Sequence, residues 1–348
     1  MATPAGQRSW HASPAVWPVL GIVSLVLLNA LFDKLLPGGP GLFGPGAFLR
    51  LSMRDGVPAG ALVDILNYGG AIAILALGMT PVIATRGVDL SVGSVMALAG
   101  AVAASLVVAD VPSIAALATA LAVGAACGLC NGVLVSFGGV QPFVVTLVLM
   151  VAGRGVAQLV TGSQITTFHD PLLEFVGLGR PAWLPLPMPF ILATAMLGAT
   201  VLALRRTALG LFTEAVGSNP EAAALVGVRS RLLVAAAYVF CGLCAALAGL
   251  IAMANIKGAD PFNAGRNAEL AAIFAVVVGG TSLAGGRMCL LGAFAGAFLL
   301  QALTTTMYAR NIGADVAPLP QALAILAVCI VGSPPVAAML GRRRKRTP

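Results

Sequence analysis

Leu232-Leu-Val-Ala-Ala-Ala-Tyr-Val-Phe-Cys-Gly-Leu-Cys-Ala-Ala-Leu-Ala-Gly-Leu-Ile-Ala-Met-Ala-Asn-Ile256 runs for 25 residues without a charge. As a helix it measures about 37 Å at a rise of 1.5 Å per residue, more than the ~30 Å of a bilayer's hydrocarbon layer. Arg231 and Lys257 stand at its two ends. The same ruler, applied outward from this run, divides the chain into about ten apolar segments. Before it come Val16 to Phe32, Ala61 to Thr85, Leu90 to Val108, Ile114 to Phe137, Pro142 to Thr161 and Met188 to Leu204. After it come Leu270 to Leu283, Cys289 to Tyr308 and Leu319 to Met339. The expected fold class is an all-α polytopic membrane protein, with residues 1–348 forming one transmembrane domain.

Composition supports this reading. Hydrophobic residues make up 59% of the chain and charged residues 9%, against roughly 25% charged in soluble domains. Mean hydropathy is +0.99. Forty-two glycines point to helices packed closely through small residues, as helices in lipid do. The first apolar segment follows a polar stretch from Met1 to Ser13; with no small-residue cleavage site after it, it reads as a span and not a signal peptide.

The net charge of +8 is a matter of placement. Five basic residues (Arg342, Arg343, Arg344, Lys345 and Arg346) sit directly after an apolar run, so residues 341–348 read as a basic cytoplasmic tail. No aromatic stacking residues accompany them, so nucleic acid is not an expected partner. Alternating the segments from an inside amino terminus puts twelve basic residues inside and eight on the other side or at membrane depth. Only Asp89, Glu214 and Glu221 among the twelve acidic residues fall inside. Both termini are therefore expected in the cytoplasm.

Enzyme readings find no site. A phosphate-cradling loop needs a lysine after a G-x-x-x-x-G pattern, and Lys34, Lys257 and Lys345 all lack it. The two C-x-x-C pairs, Cys127/Cys130 and Cys241/Cys244, lie inside apolar stretches with no histidine nearby, so they read as small hydrophobes and no metal is expected.

The longest inside loop spans residues 205–231. In it Asn219 suits a helix cap, Pro220 the first helical position and Glu221 the positive end of the helix dipole. Ala222, Ala223, Leu225 and Val226 give the short helix an apolar surface that invites a partner. Basic polar faces, the mark of helices that lie on membranes, are missing from it.

These residues resemble a known family. Glu221-Ala222-Ala223, with Gly227 four residues after Ala223, is similar to the E-A-A-x-x-x-G coupling loop of ABC importer permeases. Gly87-Val88-Asp89-Leu90-Ser91-Val92-Gly93, Ala215-Val-Gly-Ser-Asn-Pro220 and Val278-Gly-Gly-Thr-Ser-Leu-Ala-Gly-Gly-Arg287 resemble the ribose/monosaccharide branch. Gln141-Pro-Phe-Val-Val-Thr-Leu-Val-Leu-Met-Val-Ala-Gly-Arg-Gly-Val-Ala-Gln-Leu159 and Ile256-Lys-Gly-Ala-Asp260 look most like its galactofuranose type. Pro81 and Arg86 depart from the branch pattern before the signature, and Pro261-Phe262 departs from it after Asp260.

The resemblance implies carbohydrate import through a bacterial inner membrane. It implies a second permease copy or a similar permease, a periplasmic sugar-binding protein, and a cytoplasmic ATP-binding subunit that binds the ATP, this chain having no cofactor of its own. It also implies that Glu214, Asn219, Glu221, Ala222, Ala223 and Gly227 couple to that subunit.

Polar side chains at membrane depth are costly and are candidates for a translocation path. Asn67, Asp89, Ser91, Asn131, Arg154, Gln158, Asn255 and Gln301 qualify. Hydrogen bonding between helices stays open for each, and Asp89 can also cap the helix that follows it. An ion-coupled secondary sugar transporter is the alternative, but apart from the boundary residues Asp64 and Asp89 the spans lack the carboxylate relays it calls for. A membrane scaffold leaves the recurring polar residues without a role.

Overall fold

The computed structural model describes residues 15–312 apart from 36–40, 42–43, 45–46, 55–56, 182–183 and 185, together with 316, 319, 322 and 323. Helices dominate it. They are α1 (Val16–Leu35), α2 (Ala61–Ala84), α3 (Val92–Val108), α4 (Ser113–Ser136), α5 (Pro142–Val160), α6 (Pro171–Leu178), α7 (Met188–Arg206), α8 (Leu209–Ser218), α9 (Pro220–Leu225), α10 (Ser230–Ile256), α11 (Ala268–Val278) and α12 (Leu290–Ala309). Two short antiparallel ladders, absent from the sequence reading, accompany them: β1 (Ser52–Arg54) with β2 (Val57–Ala59), and β3 (Thr166–Thr167) with β4 (Gly258–Ala259).

Among the described residues, seven helices are long and apolar enough to cross a membrane: α1, α2, α4, α5, α7, α10 and α12. The apolar helices α3 and α11 are shorter. Nine of the expected segments are thus helical, and the protein is an all-α polytopic membrane protein. The tenth segment, Leu319 to Met339, falls outside the described residues but for 319, 322 and 323. The tail 341–348 and the amino-terminal residues 1–14 lie outside them entirely.

Helix α2 lies at the centre. Fifteen of its residues are buried, from Ile65 to Ala84, and it packs against α7, α10, α11 and α12. The seam between α4 and α10 is made of small residues. A Cβ on Gly124, Gly128 or Gly132 would run into Gly242, the Tyr238 carbonyl or Ala235 of α10. Spaced four apart, these glycines share one helix face, and the backbones approach as closely as they do because no side chain stands between them.

At the far end of α12, Arg310 donates to Asp33 Oδ1 (2.6 Å) and to the Asn29 carbonyl and Oδ1 (3.0 and 2.9 Å), and sits 4.2 Å over the Phe32 ring. Asn29 in turn donates to Thr306 (2.9 Å). This network fastens α1 to α12. The Cys127/Cys130 and Cys241/Cys244 pairs are free thiols, with Cys241 and Cys244 buried.

Candidate functional site

Two ends of the bundle differ in character. One carries α8 and α9. At the other, β3 pairs with β4, Lys257 Nζ donates to Glu174 Oε2 (2.6 Å) and His169 Nδ1 lies 3.2 Å from Glu174 Oε1. The hydrogen bond from Lys257, with His169 beside it, holds the Glu174 carboxyl below its usual 4.5.

At the α8–α9 end, Asn219 caps α9: its Oδ1 accepts from the amides of Glu221 (3.1 Å) and Ala222 (3.0 Å). The helix closes at Gly227, whose φ of 86° suits only glycine. Leu225 and Val226 are 89% and 80% exposed, whereas Ala223 is turned inward at 4%. The inward alanine seats α9, and the exposed pair and Glu221 form its outer face. Beside it a groove of about 520 Å³ is lined by Pro220, Glu221, Ala224, Arg229 and Arg231.

Helix α8 is bound to the core by backbone contacts that the sequence alone does not reveal. Arg86 Nε donates to the Gly217 carbonyl (2.5 Å) and its Nη2 to the Ser218 carbonyl, which satisfies the open carboxyl end of α8. The Gly286 amide donates to Ala84 O (2.9 Å), and Glu214 Oε1 accepts from the Met288 amide (3.2 Å). Arg86 therefore joins the end of α2 to the loop 205–231.

From Arg86 the chain turns into the bundle toward α3. Asp89 and Ser91 are each 1% exposed, as is Asn131 on α4. Asp89 Oδ1 accepts from the Ser91 amide (2.9 Å) and hydroxyl (2.6 Å), and Asn131 Nδ2 donates to Ser91 Oγ (2.9 Å). Asp89 thus closes a local turn before α3 and does not reach farther into the helix. Asn131 stands five residues from the end of α4, so this cluster sits about 7.5 Å below that end. Asn131 Oδ1 is buried without a partner.

The remaining path candidates fall into different settings. Asn67 Nδ2 donates to Asn255 Oδ1 (2.8 Å), joining α2 to α10. Gln301 is buried and donates to Thr305 (3.3 Å) at a cleft of about 520 Å³ between α2 and α12, also lined by Asp64, Tyr68 and Tyr308. Arg154 Nη1 donates to the carbonyls of Ala264, Pro261 (3.4 Å) and Phe262 (3.5 Å). Gln158, half-buried on α5, makes no side-chain hydrogen bond to the described residues.

The anchor for Arg154 lies where the sequence reading placed an outside loop. Ala259 belongs to a buried cluster that includes Ala99, Ala103 and Ala104 of α3, Ala264 packs against one that includes Ala97, Leu98 and Ala101, and Gly265 meets Gly93. Residues 259–265 therefore descend about ten residues of α3, roughly 15 Å. At the bottom a Cβ on Gly93 would strike the Gly265 carbonyl and Glu269 Oε2, so only glycine allows the crossing. Helix α11 starts there and covers about 16 Å, half a bilayer. Arg266, counted outside from the sequence, is thus carried inward, because the apolar run after it is helical only over Ala268–Val278.

Comparison with known proteins agrees with this architecture. A family model described as "Branched-chain amino acid transport system / permease component" matches residues 61–333. The chain is 47% identical over 319 residues to the galactofuranose transporter permease of Escherichia coli K12, covering 91% of this chain and 90% of that one. It is 35% identical to the fructose import permease of Bifidobacterium longum, covering 93% and 89%. It is 42% identical to the ribose import permease of E. coli K12, covering 78% and 84%. No solved structure matches it. On the family match over residues 61–333 and on these identities, the chain belongs to the family of branched-chain amino acid transport system / permease components.

Proposed function

We propose that the chain is the membrane-spanning permease subunit of an ATP-binding cassette importer and carries a monosaccharide inward, galactofuranose being the first sugar to test and ribose or fructose the next. The observation that carries this is the 47% identity to a galactofuranose transporter permease over nine-tenths of both chains. In this reading α8 and α9 lie in the cytoplasm with both termini, and the β3–β4 end faces a periplasmic sugar-binding protein. An ATP-binding subunit that holds the ATP docks on residues 205–231, with Glu221 and the exposed Leu225 and Val226 in the contact. A second permease copy, or a similar permease, completes the path.

The geometry supports a coupling role for that loop. Glu214 and Arg86 fix α8 to the core, and the Arg86 to Ser91 turn runs from α8 to the buried Asp89 cluster. A displacement of α8 is thereby delivered to α3 and α4.

The test is uptake of labelled galactofuranose, ribose and fructose by vesicles holding the permease with its ATP-binding subunit and binding protein. With ATP inside and the proton and sodium gradients collapsed, uptake of at least one sugar should persist. Loss of all uptake on collapsing the gradients would favour the ion-coupled alternative.

A further inference from the structure

The polar side chains at membrane depth divide by whether their hydrogen bonds are already made. Asn67 is bonded to Asn255, Asn131 to Ser91, and Gln301 to Thr305. Apart from Asn131 Oδ1, which is buried without a partner, the uncommitted groups gather on α5 and on the segment 260–267. Gln158, Arg266 and Asn267 make no side-chain hydrogen bonds to the described residues. Asn263, Arg266 and Asn267 are all exposed. Arg154 feels the charges of Asp260, Arg266 and Glu269, although no ion pair forms among these four among the described residues.

Depth makes this arrangement costly in lipid. Arg154 lies six residues from the end of α5, about 9 Å, and Gly265 meets Gly93, twelve residues (about 18 Å) below Ser105, whose hydroxyl reaches the Val160 carbonyl at that same end. Non-helical backbone is tolerated at such depth only where it is buried in protein or lines water. Residues 262, 263, 266 and 267 are exposed, so this chain does not itself bury the segment, and the amide and guanidinium side chains of Asn263, Arg266 and Asn267 suit the water-lined alternative.

We propose that Arg154, Gln158, Asn263, Arg266, Asn267 and Glu269 line the aqueous path and form a contact site for a neutral, polyhydroxylated solute. With Asp260 beside these residues, the two guanidinium groups Arg154 and Arg266 are matched in number by the two carboxylates Asp260 and Glu269, so the cluster as a whole has no net charge to favour an ion. Its amides, guanidinium groups and carboxylates supply both donors and acceptors, as a ring of hydroxyls requires. The glycine crossing at Gly93 and Gly265 fixes the segment's depth and Arg154 fixes its course. This assignment of the solute class rests on the sugar-permease reading above; the aqueous placement does not.

Two measurements on the complete reconstituted complex separate these points. Arg266→Cys and Asn263→Cys should react with a charged, membrane-impermeant thiol reagent faster than the unmodified chain. Labelling no faster than the unmodified chain in both would place the segment against lipid or protein and overturn the proposal, whatever solute the complex carries.

In the second measurement, Gln158→Leu and Asn267→Gly, the latter chosen because Asn267 has a φ of 62° that glycine tolerates, are assayed with the sugar that the unmodified complex imports. Uptake should fall at least tenfold while co-purification with the ATP-binding subunit is retained. Uptake within twofold in the double variant would remove the solute contact. If the unmodified complex imports none of the three sugars, the sugar reading fails and the thiol labelling alone still decides whether the segment faces water.

Discussion

Asn131 and Gln158 look alike in the sequence, each an amide inside an apolar run, and the fold separates them. Asn131 is 1% exposed and holds Ser91, whereas Gln158 is half-buried with its amide uncommitted. Replacing Asn131 by leucine would leave Ser91 and the Asp89 turn without that donor. The expected cost is about 1–3 kcal/mol of stability, read as a lower midpoint in thermal unfolding of the detergent-solubilised chain; an unchanged midpoint would mean that the cluster is not structural. The ion pair at the opposite end gives a pH dependence. Glu174's carboxyl is held below its usual 4.5 by Lys257, so the tether is complete above that range and is lost as pH falls through the lowered value. Intrinsic-rate-corrected hydrogen exchange of α6 should quicken on acidification in the unmodified chain and quicken less in Lys257→Met, where only the Asp170 cap and the His169 contact remain to be lost. Equal behaviour in the two would show that the pair does not hold α6.

Among the elements, the α4–α10 seam and the α1–α12 clasp are the most exposed to single changes. Gly128→Leu would drive a side chain into the Tyr238 carbonyl, an overpacking that costs about 1–3 kcal/mol and also shifts Tyr238 from Val88, to which its hydroxyl donates (3.5 Å). Arg310→Met leaves Asp33, 3% exposed, as an uncompensated buried charge, and breaking such a pair costs about 3–5 kcal/mol. Adding Asp33→Leu should recover much of that loss, and thermal melts of the single and double variants measure it. The helices themselves were legible because apolar length is a local property: the run from Leu232 to Ile256 needs no knowledge of its neighbours. The descent of residues 259–265 was not, since its depth is set by Gly93 and Arg154, more than a hundred residues away. The Asn67–Asn255 pairing, 188 residues apart, was hidden for the same reason, and so was the attachment of Arg86 to α8.

At the scale of the whole molecule, the proposed function needs force from the α8–α9 end to reach the path. Arg86 is the side chain positioned to carry it, from the carbonyls of Gly217 and Ser218 to the turn before α3. Arg86→Ala should leave the ATP-binding subunit bound yet lower sugar uptake per ATP hydrolysed severalfold. Glu221→Lys should instead weaken co-purification itself, because it reverses a charge on the docking face. An Arg86→Ala complex with an unchanged ratio of sugar to ATP would show that the force takes another route. The most direct test of the central claim uses the unmodified permease in proteoliposomes with the sugar-binding protein and internal ATP, with and without the ATP-binding subunit. Labelled sugar should accumulate against its gradient only when that subunit is present, and accumulation by the permease without it would contradict the assignment.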